Sequence, residues 1–401
     1  MALVTMAKVT NPFKSRRWRG PSPLFIVVGI FLVVWSVVPI PKFAIVETRG
    51  MDIPETLAPV SFVSGGIRVH REQIDGTDVL WASPDDNGRG KVQGLLFLAH
   101  GCGHSNRDWF SKVSPECEDC RGLPEEVSIV QAALDMGLVA VATSSSNWRS
   151  KCWSGFDVTP VALVLNELWH RFSEDNKAVN STTTSILGKE RLPVYAFGAS
   201  SGGAFVSSLA GPLQSRFGIR LNGFISQIAA EPTNPKQDLQ EPNDLCKVYI
   251  TMNKDTNVDN AAKNRVKECQ SSKHKHRCQH IRLPPLEIKP KYFSERIEQI
   301  VDKESYDIVK VLTRGGFISP DKGELYRDPR LTHKDWSRAL KKESSAKNSN
   351  LDFASRGDAL IPNQSPIFEV LNVAWGQHEL SRDGVKEALE FCLQQEPTKP
   401  K

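Results

Sequence analysis

An α/β fold with a mostly parallel sheet flanked by helices is what the sequence predicts, and three observations predict it. Short apolar runs recur along the chain, separated by stretches whose apolar residues fall at helical spacing. Most of these runs are apolar almost throughout, as strands buried on both faces are. A knot of glycines and serines, Gly198-Ala199-Ser200-Ser201-Gly202-Gly203, follows one of them. It lies at the kind of strand end where parallel sheets hold ligands.

The predicted strands are 92–100, 137–145, 192–198, 221–229 and 246–253, with "FEVLNVAW" (368–375) as the last. Between them, "PEEVSIVQAALDMG" and "TPVALVLNELWHRFSED" read as helices. The second opens with Pro160 behind Thr159, a favourable cap and first-turn pair. "AFVSSLAG" continues from the glycine knot as a helix. The segment 254–366 is too long for a simple connection. It reads as an insertion or lid before the last strand. It opens with a polar loop carrying Cys269 and Cys278 and continues with Phe293, Ile297, Ile300 and Val301 on one helical face.

Ahead of this domain, Gly20 to Pro41 carries no charge. Its length of about 33 Å as a helix matches a hydrocarbon core of about 30 Å. Its Leu, Ile, Val and Phe residues favour insertion by roughly 4 to 7 kcal/mol. The reading is a cytosolic basic tail (1–22), a transmembrane helix (23–41), a stalk (42–60), a catalytic domain (61–395) and a short tail (396–401). A cleaved signal peptide and a buried core helix are the alternatives. The run is longer than a signal h-region and lacks an A-x-A-like site. Lys8, Lys14, Arg16, Arg17 and Arg19 precede it, which orients the following domain toward the lumen or cell exterior. A type II protein of the endomembrane system or cell surface is expected. With those five removed from the 51 basic residues, 46 remain against 46 acidic ones. So balanced a body argues against nucleic acid as a partner.

All eight cysteines follow the apolar run. An even count in an oxidising compartment predicts disulfides, with the pairing left open. Asn180-Ser181-Thr182 and Asn363-Gln364-Ser365 fit the N-glycosylation pattern. Cys117 and Cys120 read as a structural disulfide rather than a redox or metal pair. "CQSSKHKHRCQH" (269–280) reads as a basic, disulfide-closed loop rather than a zinc site. No metal or cofactor is called for.

The glycine knot carries the chemistry. Read as G-x-S-x-G, it puts Ser200 on a sharp strand-to-helix turn with its Oγ exposed. Ser201 is the alternative nucleophile, but its flanking positions would be Ala199 and Gly203. A serine needs a base, and the base an orienting acid, in the order Ser, acid, His along such a chain. Asp255 follows the strand 246–253, with Asp259 one turn on as the weaker choice. His378 follows the predicted last strand. The backbone N–H groups of Cys102, in the turn "HGCG", and of Ser201 are the predicted oxyanion donors. Trp148 and Trp153, just past the strand 137–145, are candidates for lining the substrate pocket or for packing.

Taken in order, "AHGCG", "GASSGG", "NKD" and "GQH" resemble the α/β-hydrolase superfamily, over about residues 60–395. Within it the chain is similar to membrane-anchored plant-type hydrolases. The resemblance implies an eight-stranded, mostly parallel sheet and serine-dependent acyl transfer to water. It matches Ser200 to the nucleophile, Asp255 to the acid and His378 to the base. The expected activity is hydrolysis of a carboxylic ester, ahead of an amide or thioester, with a small-molecule or lipid-like acyl substrate. A non-catalytic binding module on the same fold and an acyltransferase are the alternatives.

Overall fold

In the computed structural model the described residues are 60–394, apart from 65, 114, 180–191, 231–241, 243, 272–275, 346–350 and 352–364. The predicted tail, membrane span and most of the stalk, the closing tail, and Asn180 and Asn363 lie outside them. Among the described residues no helix is long and apolar enough to cross a membrane.

Among the described residues nine strands, one more than the resemblance implies, form one sheet: β1 (Val60–Ser64), β2 (Ile67–Ile74), β3 (Thr77–Ala82), β4 (Gly94–Ala99), β5 (Leu138–Thr143), β6 (Val194–Ala199), β7 (Gly223–Gln227), β8 (Cys246–Met252) and β9 (Arg277–Leu283). Their order is β1-β2-β3-β5-β4-β6-β7-β8-β9. The first three strands are antiparallel, and β3 joins β5 antiparallel. From β5 to β9 every pairing is parallel.

Parallel pairing requires crossovers, and the helices supply them. These are α1 (Pro124–Asp135), α2 (Val158–Val179), α3 (Ser201–Ser207), α4 (Ala210–Phe217) and α5 (Thr256–Ser271). The remaining helices are α6 (Tyr292–Arg296), α7 (Asp302–Arg314), α8 (His333–Ser344), α9 (Pro366–Trp375) and α10 (Val385–Leu393). One face of the sheet packs Leu96, Leu98, Phe197 and Val248 with Ile129 and Leu134 of α1 and Leu389 of α10. The other packs Leu95, Phe97, Val141 and Phe224 with Leu165 of α2 and Phe205 of α3. Both faces of the central strands are therefore covered, as their continuous apolar runs require. A third core, of α6 to α9, holds Phe293, Ile308, Trp336 and Phe368.

Four expectations are corrected. "FEVLNVAW" is not a strand; it lies in α9. Ser365 accepts from the Phe368 N–H, Pro366 opens the first turn, and Gly376 ends the helix at φ 70°. The helix is buried almost all round because it is wedged between two cores: Val370 and Leu371 face the third, Val373 the first. The true last strand is β9, whose sequence RCQHIRL is mostly half-exposed. Such charged edge strands resist pairing with other chains, and they hide from apolar-run searches. Consequently 254–366 is not a single insertion, because α5 and β9 at its start belong to the sheet layers. Val301 is 66 % exposed while Phe293, Ile297 and Ile300 are buried, because the helix is interrupted between α6 and α7 and one helical face does not run through all four. Finally, α2 begins at Val158 behind a short 3₁₀ turn capped by Ser154, so Thr159-Pro160 lie within its first turn.

The eight cysteines pair as Cys102–Cys152, Cys117–Cys120, Cys246–Cys392 and Cys269–Cys278. Cys269 lies in α5 and Cys278 in β9, so this bond closes the predicted segment and also ties a helix to the edge strand. Full pairing is compatible with a lumenal or extracellular domain.

Candidate active site

The turn after β6 forces its own geometry. A Cβ on Gly198 would stand 2.2 Å from the Gly202 carbonyl oxygen, and one on Gly202 would stand 2.3 Å from that of Ala99. Only glycine lets these backbones approach so closely. Between them Ser200 sits at φ 53°, ψ −116°, a region that non-glycine residues rarely occupy. Its N–H donates to the Gln227 carbonyl at the end of β7, at 2.9 Å. The strain lifts Oγ off the strand end and toward the loops of the later elements.

Ser200 Oγ lies 3.0 Å from His378 Nε2. His378 Nδ1 donates to Asp255 Oδ2 at 2.6 Å. Asp255 follows β8, and His378 follows α9 on a loop drawn in by the Lys254 N–H, which donates to the Gly376 carbonyl at 3.0 Å. The structure thus brings the three predicted residues together. Asp259 is elsewhere: its buried carboxylate accepts from Thr251 Oγ1, Lys263 Nζ and Arg282 Nε.

Cys102 lies in the turn after β4 and borders the same cavity as Ser200 and His378. Ser201 is the first residue of α3. Among the described residues, neither N–H donates to a backbone carbonyl. The turn is braced from the loop 145–153. Cys102 is bonded to Cys152, Gly103 N–H donates to the Ser150 carbonyl, and Trp153 Nε1 donates to the His100 carbonyl. His100 Nδ1–H donates to the Gly101 carbonyl while Nε2 accepts from the Ser145 N–H. Burial pushes His100 down to about 4, which keeps that ring neutral and its two roles fixed.

Neither tryptophan lines the cavity. Trp153 is buried, stacked on Phe205 with ring centres 4.8 Å apart, and acts as packing. Trp148 is 77 % exposed beneath the Arg149 guanidinium. Position just past a strand places a residue near the rim but does not fix which way its side chain turns.

The cavity itself holds about 200 Å³. Besides Ser200 and His378, its walls include Ile228, Phe368, Glu126 and Glu369. The two glutamates are absent from the sequence reading. Glu126 looks like an ordinary first-turn acid of α1, and Glu369 falls in the run read as a strand. Burial pushes Glu126 up to about 7. Burial and then the facing Glu126 hold Glu369 well above the carboxylate range. His104, also on the wall, pairs through Nδ1 with Asp108 Oδ2 at 2.9 Å. Burial lowers its pKa, but Asp108 outweighs that and the net direction is up. Among the described residues no cluster of His, Cys, Asp and Glu is arranged to hold a metal ion.

No protein-family model matches the chain, and no curated protein matches it by sequence. Solved structures do. The chain is similar to a dienelactone hydrolase from Anabaena variabilis, at 14% identity over 56% of this chain and 86% of that one, with a TM-score of 0.32. It is similar to an α/β serine hydrolase homologue from Coxiella burnetii, at 12% identity over 63% and 97%, with a TM-score of 0.32. It is also similar to Est1E from Butyrivibrio proteoclasticus, at 13% identity over 54% and 88%, with a TM-score of 0.30.

Proposed function

We propose that the chain is a serine hydrolase of the α/β-hydrolase kind that cleaves a carboxylic ester, held to a membrane by residues 23–41 with its catalytic domain lumenal or extracellular. One observation carries this reading: a strained Ser200 in hydrogen-bond reach of His378, whose other nitrogen is held by Asp255. A chain of three such groups, drawn from three distant segments, has little purpose other than activating the serine.

In the reaction, Ser200 Oγ attacks the ester carbonyl and its proton passes to His378 Nε2. Asp255 holds the imidazole in the tautomer with Nδ1–H and stabilises the imidazolium that forms. The N–H groups of Cys102 and Ser201 take the developing oxyanion. The loss of one such donor ordinarily costs about 2.7 to 4 kcal/mol in the transition state. Collapse of the tetrahedral intermediate breaks the C–O bond, and the departing alkoxide takes the proton from His378. Water, deprotonated by the same ring, then releases the acid and restores Ser200.

A fluorophosphonate probe tests the reading. It should label the wild-type domain, and Ser200→Ala should abolish both labelling and ester hydrolysis. Equal labelling of the two proteins would remove Ser200 as nucleophile.

A further inference from the structure

Two carboxyl groups on the cavity wall lack, among the described residues, the cationic partner that buried carboxylates usually have. Glu126 is 3 % exposed and Glu369 is 6 % exposed, and they face each other within hydrogen-bond reach. Among the described residues no donor reaches Oε2 of either. Their neighbour Glu125 shows what a structural role looks like. It is fully enclosed, accepts two bonds from Arg296, and takes the Arg382 N–H and the Ser381 hydroxyl. Glu126 and Glu369 have only each other and the Glu126 backbone N–H, and no ion pair among the described residues. Native proteins pair nearly all buried polar groups, so an exception at a cavity beside a nucleophile points to a missing ligand.

The chemistry of that ligand follows from the wall. Two close buried carboxyls share one proton, because they cannot both ionise. The pair then carries one negative charge and keeps acceptor capacity on both groups. His104 stands on the same wall, drawn toward its protonated form by Asp108; Arg121 also pairs with Asp108, so the imidazolium is left to offset the charge of the two glutamates. Arg330, also on the wall, is committed to Glu379 and to the His378 carbonyl. A site with acceptors, a donor and little net charge suits hydroxyl groups, which donate and accept, better than an ammonium group. Its volume of about 200 Å³ leaves room for a small hydroxylated group beside the nucleophile.

We propose that Glu126 and Glu369, with His104, form a recognition site for a hydroxyl-bearing part of the ester, so that the substrate is the ester of a polyol or of a hydroxylated acid. This deepens the serine-hydrolase reading and rests on it for the word substrate, but binding can be measured apart from catalysis. Ser200→Ala protein would be titrated calorimetrically with propyl butyrate, glyceryl monobutyrate, propyl 3,4-dihydroxybutyrate and a choline ester of butyrate. The glyceryl and dihydroxybutyrate arms tell whether the hydroxyls enter on the alcohol or the acyl side. At least one of them should bind about tenfold or more tighter than propyl butyrate, since sites built for hydroxyls reject analogues that lack them. Adding Glu126→Leu and Glu369→Leu should erase or invert that preference. Equal binding of propyl butyrate and both hydroxylated esters overturns the proposal without recourse to the double variant. So does tightest binding of the choline ester, which would mark a cation site, or a preference that survives the leucines. A failure of fluorophosphonate labelling alongside an intact hydroxyl preference would remove only the catalytic reading.

Discussion

The Gln227 side chain grips the backbone of Ser381: Nε2 donates to the Ser381 carbonyl at 2.8 Å, and Oε1 accepts the Ser381 N–H at 3.1 Å. The carbonyl of the same glutamine accepts the Ser200 N–H. One buried residue at the end of β7 therefore ties the elbow to the loop that carries His378, three residues before Ser381. Gln227→Ala should lower kcat by about 10- to 100-fold, on the scale of a small misplacement of reacting groups, with KM nearly unchanged. It should also lower stability by about 1–3 kcal/mol, because the Ser381 backbone groups stay buried without partners. Steady-state kinetics on a chromogenic ester check this, and a rise in KM at constant kcat would show that Gln227 does not position the base.

The second prediction concerns the Cys102–Cys152 bond. It fastens the proposed oxyanion turn to the loop that also supplies the Ser150 carbonyl and Trp153. Its 50-residue separation gives an entropic stabilisation of about 4 kcal/mol. The double variant Cys102→Ser, Cys152→Ser should retain the fold but acylate more slowly, since a loosened donor is worth less to the transition state. Timed fluorophosphonate labelling reads the rate, and circular dichroism reads the fold. A variant that labels at the wild-type rate would mean that the turn is held well enough without its disulfide.

A third prediction addresses how the helices outside the sheet are attached. Arg296 at the end of α6 is 9 % exposed in its side chain and bridges the enclosed Glu125 of α1 to Asp383. Arg296→Met strips the partner from a buried carboxylate, which ordinarily costs about 3–5 kcal/mol. Replacing Glu125 and Arg296 together by Gln and Met should cost less than the single change. A double-mutant cycle by chemical denaturation measures the difference, and additive losses would show that the two side chains are not coupled.

Much of this arrangement is legible in the residues alone, for identifiable reasons. The glycines at 198 and 202 set the register of the elbow because a larger residue at either would collide with backbone. Asp255 is found because it follows a strand of the parallel sheet, and His378 by chain order alone, since the element before it is the helix α9. Apolar content cannot separate a helix buried all round from a buried strand, so α9 reads as a strand; the Ser365-Pro366 and Gly376 boundaries were the discriminating signs. A charged edge strand carries no apolar run, so β9 reads as a loop. Glu126 and Glu369 meet only because α1 and α9 pack together, and no local pattern announces such a pair. Trp148 and Trp153 show the converse: position is readable, orientation is not.

The last prediction follows from two buried groups that titrate in opposite senses. Burial, helped by the nearby Asp108 and opposed by His104, raises Glu126 from 4.5 to about 7. Between those values the unfolded chain releases a proton that the folded chain keeps, so stability falls as pH rises through that window. Glu369, raised by burial and by Glu126, Glu125 and Glu379, extends the decline upward. His100 is lowered from 6.5 to about 4. There the unfolded chain takes up a proton that the folded chain refuses, so stability falls as pH drops from 6.5 toward 4. Melting temperatures measured from pH 4 to 8 should separate the two effects. Glu126→Gln with Glu369→Gln should raise Tm at pH 8 relative to pH 5 when compared with the parent, because the amides have no proton to lose. His100→Gln should lower Tm overall, through its lost bonds to Gly101 and Ser145, while flattening the acid limb. Variant curves that run parallel to the parent across the whole range would show that neither group is held in the protonation state assigned to it.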